Sequence, residues 1–136
     1  MVLEAFGWFW IGLGVLSGAG LGVRFREEGF LGGYGAWPRR LVRLGHIAFF
    51  GTGILCVLLA GTLQRHELGD GWERCAAWCM AAGAVGMPVC CGIAAFRARW
   101  TGLFVAPVLA IGVAVTVVYV RLFMIAFGIN AAGGGA

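Results

Sequence analysis

His46 is the residue of this chain best suited to chemistry. It stands near the head of an apolar run, in Arg43-Leu44-Gly45-His46-Ile47, behind Arg39, Arg40 and Arg43. An imidazole at that depth could ligate haem iron, relay a proton or hydrogen-bond a quinone carbonyl, with Arg39, Arg40 and Arg43 pairing to propionates or phosphates. Gly45 beside it would let a flat ring approach the backbone. The commoner use of such a histidine is plainer: a hydrogen bond to a lipid headgroup or a neighbouring helix. The other histidine, His66, lies 20 residues further on, about 30 Å along a continuous helix. A bis-histidine haem would therefore need a partner chain. No cofactor is expected in this chain alone, and a haem or a quinone enters only together with a partner.

The other reactive groups are scattered. Cys56, Cys75, Cys79, Cys90 and Cys91 contain no C-x-x-C pair, and no acid or histidine is spaced to complete a zinc site. Cys75 and Cys79 share a helical face and could take a soft ion such as Cu(I) with help from Met80. Cysteine is also an ordinary small apolar residue in buried helices, and packing is the reading adopted for all five. No metal site and no catalytic residue is expected. Glu4, Glu27, Glu28, Glu67, Asp70 and Glu73 all fall at run ends or between runs, which argues against a proton-coupled exporter that needs a carboxylate inside its bundle. Arg121, within the last apolar stretch, is expected to snorkel or to pair with Glu4 or Glu73.

The elements that must position these groups are four apolar runs: Phe6–Val23, Leu44–Leu63, Cys75–Phe96 and Gly102–Val120, the last extending as far as Ile129 if its helix continues. Roughly 20 apolar residues, rising about 1.5 Å each, cross a hydrocarbon layer of about 30 Å. Hydrophobic residues make up 61% and charged residues 12% of the 136, against about 45–50% and 25% in soluble domains. The fold class expected is all-α, an integral membrane four-helix bundle forming one domain over residues 1–129, with a disordered Gly-rich tail at 130–136. The opening residues Met1–Ala5 lack a basic region, so the first run reads as a retained span.

All ten basic residues are arginine. Arg24, Arg26, Arg39, Arg40, Arg43, Arg97 and Arg99 fall on one side of the expected topology, and Arg65, Arg74 and Arg121 on the other. Seven against three places the first group in the cytoplasm and both termini outside. The net charge of +4 is thereby explained by topology, and nucleic acid is not expected as a partner. The expected location is a bacterial inner membrane.

Small residues set the expected packing. Gly14, Gly18 and Gly22 recur every four residues, with Gly12 and Gly20 beside them. Ala82, Gly86, Ala106, Ala110 and Ala114 offer matching surfaces for close helix approach. Pro88 and Pro107 are expected to kink the third and fourth helices. Three functions fit. The first is a small non-catalytic accessory or scaffold subunit of a larger membrane complex, of the respiratory electron-transfer kind, whose partners are the bilayer and other subunits or copies of itself. The second is a haem- or quinone-contacting anchor using His46 and the nearby arginines, and the third a small oligomeric transporter or channel.

Overall fold

A computed structural model describes residues 1–129, and within them the chain is helical, with turns and no strand. Helix α1 spans Val2–Arg24, α2 Trp37–Arg65, α3 Asp70–Phe96 and α4 Val105–Ala126. Short 3-10 segments at Phe30–Gly32 and Ala98–Phe104 lie in the first and third connections. All four helices are long and apolar enough to cross a membrane. The tail expected at 130–136 lies outside the described residues.

The chain runs up, down, up and down. One end of the bundle therefore carries both connections rich in arginine, and the opposite end carries Met1, the α2–α3 turn and the end of α4. These are called below the loop end and the terminal end. The helices outrun the apolar stretches. Helix α2 starts at Trp37, with Pro38 in its first turn, where a missing N–H costs nothing. Arg39, Arg40 and Arg43 are thus helical residues. Their long stems cover apolar surface, with the Arg40 head exposed and the Arg39 head bound to backbone carbonyls, so hydropathy alone underestimates the helix. The tight α2–α3 turn depends on Gly69 at φ +95°, a value that side-chain-bearing residues rarely adopt. Asp70 and Glu73 then occupy the first turn of α3, where carboxylates meet the positive end of the helix dipole.

Helices α2 and α3 form the centre, with α1 laid on α2 and α4 on α3. Near the terminal end Cys56, Leu59, Ala76, Met80, Ala84 and Ala114 make a closed core, flanked by Leu3, Phe6 and Trp10. A smaller cluster of Leu41, Ala94 and Ala95 joins α2 to α3 at the loop end. The glycine stripe of α1 differs from the expected one. Gly7, Gly14 and Gly18 face α2, whereas Gly12, Gly20 and Gly22 have nothing within 4 Å of a notional Cβ. A repeat of four drifts by about 40° per step around a helix of 3.6 residues per turn. Steps of seven and eleven hold the face better. At the tightest crossing, a Cβ on Gly7 would sit 2.8 Å from the Gly53 carbonyl oxygen.

One proline departs from expectation. Pro107 is the third residue of α4, in a first turn that accepts the ring, so it does not interrupt that helix. Helix α3 continues through Pro88. Proline deprives the carbonyl four residues earlier of its donor, and in a membrane that carbonyl needs another. For Pro88 the deprived group is Ala84, and the indole N–H of Trp10 on α1 donates to it at 3.2 Å. For Pro107 it is Leu103, which receives the Cys90 thiol at 3.5 Å. Near the end of α3 the Ala94 carbonyl accepts the Trp37 indole N–H at 3.0 Å. Trp10 and Trp37 thus act as ties between helices.

Candidate functional site

Trp10 ties α1 to α3 near mid-bundle, and beyond it toward the loop end the two helices part. The gap is a lateral cleft of about 620 Å³, floored by α2 and lined by Trp10, Ser17, Gly20, Leu21 and Arg24 of α1. Leu41, Val42, Gly45, His46 and Phe49 line it from α2, and Pro88, Val89, Cys91 and Gly92 from α3. The lining is apolar except for three groups: Ser17, His46 and Arg24. Gly45 lets α3 come close, since a Cβ there would meet Cys91 Cβ at 3.1 Å.

His46 is held from three directions. Its ring lies against Gly18, where a Cβ would collide with Cε1 and stand 3.1 Å from Nε2. Phe50 meets the ring edge-on, with centroids 5.3 Å apart. Ser17 Oγ stands 3.0 Å from Nδ1 and donates to the Gly14 carbonyl at 2.9 Å. A serine hydroxyl has one proton. With that proton on the Gly14 carbonyl, the Nδ1 contact is favourable only if Nδ1 carries the hydrogen and donates to Ser17 Oγ. The opposite tautomer would leave Oγ and the carbonyl oxygen facing each other with no proton between them. Neutral His46 therefore presents a bare Nε2, which has no hydrogen-bond partner among the described residues and is not sealed from the surface. Such a nitrogen can accept a hydrogen bond or bind a metal ion, and fixing the other ring nitrogen is how proteins orient histidine for either task.

The arginines expected beside His46 are placed elsewhere. Arg39 is 5% exposed, with Nη2 donating to the Phe25 carbonyl at 2.8 Å and Nη1 to that of Glu28 at 3.2 Å. Its guanidinium also lies over the Phe25 ring, 4.6 Å from the centroid. It clamps the chain where it leaves α1. Arg43 lies over Tyr34 at 4.7 Å, and Arg40 is exposed. None of the three lines the cleft. Arg24 does, from α1, seven residues and about 10 Å beyond Ser17 along the helix. Ser17, the chain's one serine, was a signal in plain view, a hydroxyl inside an apolar run. Its pairing with His46 depends on the register of α1 against α2.

The remaining candidates lie far from this cleft. His66 ends α2 at the opposite end, and the continuous helix keeps it about 30 Å from His46. Met80 is buried in the terminal-end core, whereas Cys75 is exposed. Among the described residues no three His, Cys, Asp or Glu side chains gather as a metal-binding group. Arg121 meets neither of its expected partners. It donates through Nε to the Leu68 carbonyl at 3.0 Å, while Glu73 accepts the Leu68 N–H at 3.0 Å and Glu4 accepts from Gln64 at 3.1 Å. Leu68 is fully buried, so Arg121 and Glu73 together fasten the α2–α3 turn.

No protein-family model, curated protein or solved structure matches this chain. The functional reading accordingly rests on the residues themselves.

Proposed function

We propose that the chain is a small non-catalytic subunit of a larger membrane electron-transfer complex, and that its own contribution is a lateral site for a lipid-soluble ring compound of the quinone class. The observation that carries this reading is the cleft itself: an apolar space opening sideways from helices of membrane-crossing length, with an oriented imidazole and an arginine among its few polar groups. Flat rings suit apolar, aromatic-lined walls such as Trp10 and Phe49, and a few placed polar groups fix their orientation. The open side is available to lipid or to a neighbouring subunit, in keeping with a site completed by a partner. Arginine asymmetry supports an orientation with the loop end, and with it the cleft, toward the cytoplasm and both termini outside, and the membrane proposed is a bacterial inner membrane.

The test is extraction of the tagged chain from its native membrane in mild detergent, followed by mass spectrometry of bound proteins and of solvent-extractable small molecules. Larger subunits in fixed ratio, with a quinone lost in His46→Ala, support the proposal. A lone chain with no ring compound refutes it, and solute-flux assays on the purified chain would then test the transporter reading.

A further inference from the structure

We infer that the His46 site discriminates between the redox forms of its ring ligand, preferring the hydroxyl-bearing quinol to the quinone. This inference rests on the reading of the cleft as a ring-ligand site and specifies what that site recognises.

Ser17 gives its hydroxyl hydrogen to the Gly14 carbonyl, 2.9 Å away, and so can only accept at Nδ1, 3.0 Å away. Nε2 is then the lone-pair side of the neutral ring. Gly18 and Phe50 pack against that ring and oppose a flip that would exchange the nitrogens. A quinol offers Nε2 an O–H donor. A quinone offers only a carbonyl oxygen, which would set lone pair against lone pair.

Arg24 does not select in the same way. A guanidinium is donor-only, and both quinol and quinone carry oxygen acceptors for it. The choice between the two forms therefore falls at His46. Ser17 is a positioning residue: it touches no ligand in this account and acts by holding the tautomer.

The experiment is anaerobic titration calorimetry on the full chain, purified with whatever subunits remain bound. The probes are a short-chain benzoquinone, its quinol and the quinol dimethyl ether. The quinol is expected to bind about tenfold more tightly than the quinone, the scale of one hydrogen bond made in place of two facing acceptors. The ether, lacking a donor, is expected to fall with the quinone. Ser17→Ala, an exchange that a helix interior accepts, should bring the quinol-to-quinone ratio toward one while both forms still bind. Equal or tighter binding of the quinone would overturn the inference and leave the ring-ligand site standing. Failure of all three probes to bind would overturn the site itself, and an unchanged ratio in Ser17→Ala would overturn the role of the tautomer.

Discussion

Toward the terminal end, Cys56, Leu59, Ala76, Met80, Ala84 and Ala114 close the bundle with small and flexible side chains. Toward the loop end, the same helices part around His46. The difference is local chemistry on a common scaffold. Below the Trp10 tie, glycine meets glycine, and Gly7 and Gly53 bring α1 and α2 into backbone contact. Above it, Gly14 and Gly18 take the rings of Phe50 and His46 instead of backbone, so the spacing widens and space remains beside α3. With no hydrophobic force between helices in lipid, close packing must supply the adhesion. The closed half holds the bundle together, and the open half leaves a cleft beside His46.

The most damaging substitution is expected in the closed half. Gly53→Val would place a branched side chain against Ile11 and the Gly7 carbonyl, contacts of 2.8 and 3.0 Å for the Cβ alone. Overpacking of this kind costs about 1–3 kcal/mol or more. Thermal unfolding in detergent should show the largest loss of stability there.

Trp10→Phe should come next. It keeps a ring but strips the Ala84 carbonyl of its donor, and a buried unsatisfied acceptor costs about 1–3 kcal/mol. Pro88→Ala restores an N–H four residues beyond Ala84, so the double variant should recover much of the loss. An equal loss from Trp10→Phe in the presence and absence of Pro88 would show that the tie does not serve the proline.

Ser17→Ala sharpens the comparison from the open side. Stability should change by about 1 kcal/mol, since two part-buried contacts of Ser17, to the Gly14 carbonyl and to His46 Nδ1, are lost from a position that accepts alanine, while ring-ligand selectivity changes. The smallest effect belongs to Gly12→Ala and Gly22→Ala, whose added methyl groups meet nothing within 4 Å. Within about 0.5 kcal/mol no stability change is expected. If larger subunits co-purify with the chain and either variant releases them, that face of α1 is where they dock.

Much of this architecture was legible in the residue order, for a physical reason. Crossing a membrane demands a continuous apolar run, and four such runs are hard to disguise. Helix ends were less legible, because Arg39, Arg40 and Arg43 stay helical although they lie outside the apolar run. The glycine stripe was half legible: Gly14 and Gly18 pack as expected, but Gly22 has drifted off the face. His46 stood out by its type. Ser17 and Arg24 did not, because their approach to the cleft depends on how α1 sits across α2. Arg39 misled by proximity in sequence, since its guanidinium is taken by the carbonyls of Phe25 and Glu28.

The central claim, that the cleft beside His46 is a ring-ligand site, is tested most directly by photoaffinity labelling of the native-membrane preparation with an azidoquinone, the labelled positions being mapped by peptide mass spectrometry. The account predicts adducts on cleft-lining segments of α1, α2 and α3, around Ser17–Arg24, Leu41–Phe49 and Pro88–Gly92, suppressed by excess unlabelled quinol and lost in His46→Ala. Labelling spread evenly over lipid-facing residues such as Leu16, Leu58 and Val113, unaffected by competitor, would contradict it.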